Sequence, residues 1–288
     1  MTPLLSVVVP IHNMAGRLQN LDQWIAQTID VDMEVILVDD LQDQTCSTEL
    51  SNLIKKYPKA KINLLSGLYK SPGESRNVGK IEACGDWVMF WDSDDVGHPC
   101  EVIAAIKGTS AGFNTAIFSY EVRFQEDSAR NLVKHVSPDW TKLDEIAMNP
   151  GVWRFAIKRE LLNGVDFPEI KMAEDQIFVG RLSRKHLKIK FIDEIAYSYY
   201  RNVSGQLTSN TNAIRDLSVA LEISKSELLH TNDSSFLHLI YLRQCMTCIK
   251  RGKFPLKVKG LQHIISLIAS DNFIFQLRLI AKVLRNEK

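Results

Sequence analysis

Hydrophobic residues in the first half of the chain follow two alternating spacings. Strand patterns occur at 4–10, 34–40, 61–65, 87–91 and 115–124, and the first, second and fourth of them are apolar runs typical of strands buried on both faces. Stretches with apolar residues at helical spacing lie between the first four patterns, at 18–29, 50–57 and 73–84. Alternating elements of this kind predict a parallel α/β sheet with helices on both faces.

The second half of the chain changes character. Residues 139–201 mix short strand and helix patterns, and from about Ile214 onward the apolar spacing is helical throughout. The predicted division is an α/β domain over 1–212, followed by a helical extension over 213–288.

Carboxylates follow two of the predicted strands. Asp39 and Asp40 end the second apolar run, and Asp92, Asp94 and Asp95 end the fourth. In parallel sheets ligands bind beyond the carboxyl ends of the strands, so both groups predict a site at one edge. If the backbone stays extended, Asp92 and Asp94 project to the same side and repel by about 3 kcal/mol. A proton, an arginine or a metal ion must offset that repulsion.

Charge is distributed unevenly along a chain of 288 residues with net charge +1. The last 40 residues carry nine Lys or Arg against two acids, a net charge of +7, which leaves −6 for the first 248. The basic segment 249–288 has two interpretations. It is either a solvated helical face or an amphipathic surface that docks on anionic lipid.

Cysteine usage favours a reducing compartment. Five cysteines without a framework spacing predict reduced thiols and a cytoplasmic protein, and "CMTC" at 245–248 is interpreted as two buried or half-buried thiols in a helix. No secretory signal is predicted from the first residues, and no run of 18 apolar residues predicts a membrane span.

A phosphate-binding motif rich in glycine is missing from the sequence, which has neither the P-loop pattern nor G-x-G-x-x-G after its first strand. If the protein binds a nucleotide diphosphate, the negative charge of the diphosphate must be neutralised in another way. A divalent cation held by one or two carboxylates is the standard alternative, and it would explain the acids at the strand ends.

Four segments, taken in order, resemble the family 2 glycosyltransferases of bacterial surface-polysaccharide type. They are "SVVVPIHN", "VILVDD", "GESRNVGKIEACGDWVMFWDSDD" and "EDQIF", and the resemblance covers about 4–201. It implies a GT-A fold, a Rossmann-like mixed sheet flanked by helices, with 1–125 as the nucleotide-sugar half and 126–212 as the acceptor half. The loop "LQDQT" departs from the glycine-containing loop that usually follows "VDD" in this family.

The resemblance also implies roles for individual residues. Asp175 matches the general base, and Asp92 and Asp94 match the D-x-D motif that holds Mn²⁺ or Mg²⁺. The residues expected to bind the nucleotide-sugar donor are Pro10, His12, Asn13, Asp39, Asp40, Arg76, Asn77, Asp92, Ser93 and Asp94. The residues expected on the acceptor side are Glu174, Trp153 and Arg201.

Ordinary structural roles compete with these assignments. Asp and Ser are common turn formers, and acids in a helix's first turn, such as Glu174 and Asp175, complement the helix dipole. Arg76 is either solvated or a partner of an aspartate at the strand ends, and Trp153 suits a core strand equally well.

The function that the resemblance implies is metal-dependent, inverting transfer of a sugar from a nucleotide diphosphate, above all a UDP-sugar, to a saccharide or lipid-linked saccharide. Capsule or lipopolysaccharide synthesis is the expected setting, with contact to the inner membrane face through 249–288 and no nucleic-acid partner. Two alternatives remain. One is a metal-dependent phosphoryl or nucleotidyl transferase, and the other is a non-catalytic nucleotide-sugar-binding protein.

Overall fold

A computed structural model describes residues 2–108, 112–124, 127–136, 146–201, 216–229, 235–269 and 280–281. The strands in these ranges are β1 (Leu5–Ile11), β2 (Met33–Asp39), β3 (Ile62–Ser66), β4 (Trp87–Phe90), β5 (Val96–Gly97), β6 (Thr115–Phe124), β7 (Leu132–Lys134), β8 (Phe155–Lys158) and β9 (Ile189–Arg201). The α-helices are α1 (Gln19–Ile25), α2 (Gln44–Lys56), α3 (Pro72–Glu82), α4 (Pro99–Gly108), α5 (Glu174–Leu182), α6 (Asp216–Leu229), α7 (Ser235–Arg251) and α8 (Phe254–Ile268).

The strands form one mixed sheet in the order β3-β2-β1-β4-β8-β6-β9-β5, with β7 paired to β6. The first four strands in this order are parallel, as the apolar runs predict, whereas β8 is antiparallel to both of its neighbours. Ile11 pairs with Asp39, and Val8 pairs with Phe90. The carboxyl ends of β1, β2 and β4 therefore lie side by side at one edge of the sheet, which is called the rim below.

Successive strand residues point to opposite faces of the sheet, so a continuous apolar run places apolar side chains on both faces. Val7 and Val9 join one core with residues of α1, α2 and α4. Val8 joins the other core with residues of α5 and α7. This covering of both faces is what makes the strand sequences continuous apolar runs.

Helix α3 packs unusually close to the sheet at Gly79. A Cβ atom at this position would lie 2.4 Å from Cγ1 of Val8 in β1 and 3.1 Å from Cγ2 of Val38 in β2. Only a glycine allows this approach. The close contact holds α3 against the strands whose ends form the rim.

The C-terminal part is helical in its described residues, as predicted. Cys245 and Cys248 are fully buried between the last helices, and all five cysteines are free thiols, as the spacing indicates. Leu237 and Ile240 of α7 share a core with the sheet. The predicted boundary at 212/213 falls outside the described residues. None of the described helices combines the length and apolarity that crossing a membrane requires.

Candidate active site

The ends of β1 and β2 bring five of the predicted donor-binding residues together. Pro10 lies in β1 opposite Val38, and His12 and Asn13 follow that strand. The His12 ring contacts the carboxylate of Asp40 through Nδ1, and the Asn13 amide lies 3.0 Å from His12 Nε2. The fifth residue, Asp39, is the last residue of β2.

The two carboxylates that end β2 are buried and held by the protein. Asp39 accepts a hydrogen bond from the Ser47 hydroxyl at 2.5 Å and one from the Leu41 N–H at 3.2 Å. Asp40 accepts one from the Gln42 N–H at 3.3 Å in addition to its contact with His12. Ser47 is absent from the predicted site, and its position in the first turns of α2 is the only sequence signal for it.

Backbone strain is concentrated around the rim. Among the described residues, three that are not glycine have positive φ: Asn13 at 49°, Leu41 at 55° and Ala173 at 68°. They follow β1, follow β2 and precede α5, respectively. Such residues cost about 1–3 kcal/mol each and are typical of functional sites, where the surrounding structure imposes the conformation.

Strand β4 ends at Phe90, before the carboxylates that follow it. Residues 92–95 form a turn in which the Asp95 N–H lies 3.4 Å from the Asp92 carbonyl oxygen. The condition of an extended backbone is therefore not met at Asp92 and Asp94, and the same-side arrangement that would follow from it does not apply. The Asn20 side chain donates to the Asp94 carbonyl oxygen at 2.6 Å and holds the turn against α1.

The charge of Asp92 is offset by Arg76, one of the three possibilities that the sequence left open. The buried Arg76 guanidinium lies between two carboxylates. Its Nη2 is 2.5 Å from Asp92 Oδ1, and its Nη1 is 2.8 Å from Glu174 Oε1. Burial alone would lower the pKa of this arginine, but the two carboxylates outweigh burial and raise its pKa. Arg76 thus joins the rim to the start of α5.

The position of Arg76 is fixed by contacts at the start of α3. The Ser71 hydroxyl caps the helix by accepting from the Glu74 N–H at 3.2 Å, and Pro72 occupies the first turn. The neighbouring Asn77 binds both backbone groups of Phe167, with N···O distances of 2.9 Å each. This bonding indicates a positioning role for Asn77, and its direct contact with a donor stays a prediction.

Asp95 and Tyr197 form a buried pair that the sequence reasoning did not use. The Tyr197 hydroxyl accepts from the Asp92 N–H at 3.0 Å and donates to Asp95 at 2.8 Å, and the Tyr200 N–H donates to Asp95 at 2.7 Å. Burial, together with the nearby Asp94 and Asp92 charges, raises the pKa of Asp95. The pair fastens the turn after β4 to β9. Asp95 was among the acids noted at the end of the fourth apolar run, whereas nothing in the sequence pointed to Tyr197 as its partner.

Helix α5 presents Glu174 and Asp175 in its first turn, directly after the left-handed Ala173. Burial and the neighbouring Glu174 charge raise the pKa of Asp175 to about 7, although Arg76 and the hydrogen bond from the Gln176 N–H act in the opposite direction. A carboxyl group with this pKa is suited to accept a proton near neutral pH.

Trp153 belongs to an aromatic stack beside β9, in a 3-10 helix rather than the core strand considered above. Its ring is parallel to those of Tyr197 and Tyr199, with centroids 4.8 and 5.7 Å away. Arg201 is exposed at the end of β9 with its guanidinium 5.6 Å from the Tyr199 ring centre. Ser93 is buried within the turn after β4.

A divalent metal ion would need ligands from outside the protein. Within the described part of the chain, no cluster of three or more His, Cys, Asp or Glu side chains is arranged to hold one. The donor chemistry of Asp92 and Asp94 suits Mg²⁺ or Mn²⁺, because such ions are commonly held by one or two carboxylates with phosphate oxygens and water, and their binding of an ion stays a prediction. One Asp92 oxygen is already bound to Arg76, which leaves the other for an ion.

Relatives of the chain are bacterial glycosyltransferases. It is 25% identical over 274 residues to poly(ribitol-phosphate) beta-N-acetylglucosaminyltransferase TarS of Staphylococcus aureus, covering 88% of this chain and 46% of TarS. It thus spans about half the length of that relative. It is also 25% identical over 266 residues to GalNAc(5)-diNAcBac-PP-undecaprenol beta-1,3-glucosyltransferase of Campylobacter jejuni, covering 89% of this chain and 84% of the relative.

Solved structures share the fold. The crystal structure of S. aureus TarS 1–349 with UDP-GlcNAc matches with a TM-score of 0.68 at 20% identity, over 98% of this chain and 88% of that one. A mannosyltransferase from Pyrobaculum calidifontis, in complex with GDP-Man and Mn²⁺, matches with a TM-score of 0.59 at 15% identity, over 100% and 88%. The mixed sheet with flanking helices is the predicted GT-A fold.

Residues 6–183 match the model of the family described as "Glycosyl transferase family 2". This range contains the rim, Arg76 and the start of α5, and it is more than half of the chain. The chain therefore belongs to glycosyl transferase family 2.

Proposed function

We propose that this glycosyltransferase is an inverting enzyme that moves a hexose or N-acetylhexosamine from a UDP-sugar to a saccharide hydroxyl. The observation that carries the proposal is the ionic bridge Asp92–Arg76–Glu174, which links the donor-side rim to the helix turn that holds Asp175. A base with a pKa of about 7 therefore lies next to the residues expected to bind the donor.

The reaction is a single displacement at the anomeric carbon of the donor sugar. The acceptor oxygen forms a bond to that carbon while the bond to the diphosphate oxygen breaks on the opposite face, and Asp175 takes the hydroxyl proton. A bound Mn²⁺ or Mg²⁺, held by Asp92 and Asp94, would neutralise charge on the departing diphosphate.

Donor recognition is assigned to the rim. Each carboxylate oxygen accepts about two hydrogen bonds, and each oxygen of Asp39 accepts one within the described structure. Asp39 thus retains capacity for the N–H of a uracil base. The UDP-GlcNAc complex of TarS, a protein with this fold, supports a UDP-sugar as the donor.

A saccharide or lipid-linked saccharide is the proposed acceptor, in the synthesis of capsule or lipopolysaccharide. The names of the relatives support this class, since one acts on poly(ribitol-phosphate) and another on an undecaprenol-linked glycan. Trp153 and Arg201 stay the residues proposed for the acceptor side: Trp153 is partly exposed in its stack with Tyr197 and Tyr199, and exposed Arg201 lies beside the same stack. The free thiols support a cytoplasmic location.

The test is a screen of UDP-sugars against saccharide acceptors, with UDP release and product followed together. The proposal predicts stoichiometric UDP and glycoside, with an anomeric configuration opposite to that of the donor by NMR coupling constants. Retained configuration would contradict the single displacement. Cleavage of the nucleotide without sugar transfer would favour a phosphoryl or nucleotidyl transferase instead.

A further inference from the structure

Helix α8 exposes a stripe of large apolar side chains. Phe254 is 81% exposed, Val258 37%, Leu261 53% and Ile265 58%. Their spacing of four, three and four residues places all of them on one face of the helix. Four large apolar side chains at consecutive turns form a continuous surface rather than the scattered exposure that is normal for single residues.

The opposite face of α8 fixes the helix on the protein. Gly260 packs against the Cys245 carbonyl oxygen, where an added Cβ would be 2.8 Å away, and His263 is buried and bonded to the Tyr241 hydroxyl. Lys259 is bound to Glu222 of α6 at 2.8 Å. These contacts hold the helix in one rotation, so the apolar stripe faces outward in the folded protein.

The charge beside the stripe has one sign. Residues 249–269 contain five Lys or Arg and no Asp or Glu. Lys253 and Lys257 are exposed, and Lys257 lies next to Phe254 and Leu261 in helical projection. An apolar stripe edged by lysines is the composition of helices that lie in the plane of an anionic bilayer surface.

A second copy of the chain fits this surface less well. Such a face on a second copy offers the lysines no opposite charge, because residues 249–269 contain no carboxylate. An anionic surface meets the lysines with opposite charge while the stripe enters the apolar layer. We propose that the α8 face formed by Phe254, Val258, Leu261 and Ile265, with Lys253 and Lys257, docks on anionic phospholipid.

This proposal narrows the predicted membrane contact of 249–288 to one helix face, and it stands apart from the transfer reaction. The experiment is sedimentation of the full chain with vesicles of phosphatidylcholine alone or mixed with phosphatidylglycerol. The expected result is binding to the mixed vesicles that weakens as salt rises. Lysines near an anionic surface contribute about fivefold each, so Lys253→Gln/Lys257→Gln should weaken binding about 30-fold.

Two further variants separate the stripe from general surface effects. Phe254→Ser/Leu261→Ser should abolish sedimentation with the mixed vesicles, whereas Leu68→Ser, an equally exposed apolar site at 79%, should not. Lys55→Gln/Lys59→Gln is the charge-matched control, since both lysines are exposed and remote in sequence. Circular dichroism checks that each variant is folded.

Several outcomes would overturn the proposal. Equal binding to both vesicle types, no binding to either, or the same loss in the control variants would each do so. A monomer–dimer equilibrium that Phe254→Ser/Leu261→Ser abolishes, without an effect of lipid, would assign the stripe to self-association. UDP binding is measured on the same samples. Loss of vesicle binding with unchanged UDP binding concerns the α8 face alone, whereas loss of UDP binding concerns the proposed donor site.

Discussion

The rim and the first turn of α5 both present carboxylates, but the protein treats them differently. Asp39 and Asp92 are bound by a hydroxyl group and a guanidinium, each at 2.5 Å. Asp175 accepts a hydrogen bond from the neighbouring Gln176 backbone N–H, and burial beside Glu174 raises its pKa to about 7. The carboxylates of Asp39 and Asp92 are thus bound by side chains of the protein, whereas the proposed base Asp175 lies where burial and a neighbouring acid raise its pKa.

The largest effect is expected from removing the proposed base. Asp175→Asn keeps the side-chain shape but cannot accept the proton, so turnover should fall about 10²–10⁴-fold while UDP affinity stays near the wild-type value. Steady-state kinetics and calorimetry measure the two quantities.

Glu101→Gln is the matched control, because Glu101 is an exposed acid in the first turn of α4. It should leave turnover unchanged. A comparable loss of turnover in Asp175→Asn and Glu101→Gln would mean that first-turn acids act by stabilising their helices. Asp175 would then have no special role as a base.

The next effect concerns the bridge between the two regions. Arg76→Met leaves Asp92 and Glu174 without their buried cation, and breaking such a pair lowers the free energy of unfolding by about 3–5 kcal/mol. Arg76→Lys should recover only part of the loss, since one ammonium cannot reproduce two separate guanidinium contacts. Urea denaturation measures both values.

An exposed ion pair provides the comparison for this measurement. Lys56→Met removes the partner of Asp22 at a pair with an exposed lysine and should change stability little. If Arg76→Met were equally mild, the bridge would not hold the rim to α5.

The pH profile should report Asp175 directly. The ionised form is the base, so kcat/KM should rise with pH until about 7 and fall about tenfold per pH unit below that value. In Glu174→Gln the neighbouring charge is gone and Arg76 remains, so the pKa of Asp175 should fall and the acid limb should move to lower pH. A limb that does not move would contradict the electrostatic coupling.

The smallest effect is expected at Asn77. Asn77→Ala removes both hydrogen bonds to the Phe167 backbone and should cost about 1–3 kcal/mol of stability. If Asn77 only positions this loop, UDP affinity at a temperature where the variant is folded should change little. A large loss of UDP affinity with normal stability would restore its predicted role as a donor contact.

Much of this fold is predictable because it depends on local patterns. Strands covered on both faces must be continuous apolar runs, and the ends of parallel strands meet at one edge. These two facts bring Asp39 and Asp92 to one rim before any contact is known. The resemblance of four ordered segments then points to the fold and to the family, and both are confirmed.

The rest depends on contacts between residues far apart in sequence. Arg76 meets Glu174 across 98 positions, and Tyr197 meets Asp95 across 102. The turn after β4 forms where these partners bind, so the sequence pattern alone could not decide whether the backbone stays extended through Asp94. The pKa of Asp175 likewise arises from burial and from neighbours that only the packed structure supplies.

The central claim is that the rim binds a nucleotide diphosphate with a metal ion held through Asp94. Calorimetric titration with UDP, with and without Mn²⁺, tests it on the wild type, on Asp94→Ala and on Asp32→Ala, an exposed aspartate preceding β2. Mn²⁺ should strengthen UDP binding in the wild type and in Asp32→Ala, and Asp94→Ala should lose this gain. UDP binding that ignores Mn²⁺, or an undiminished gain in Asp94→Ala, would contradict it.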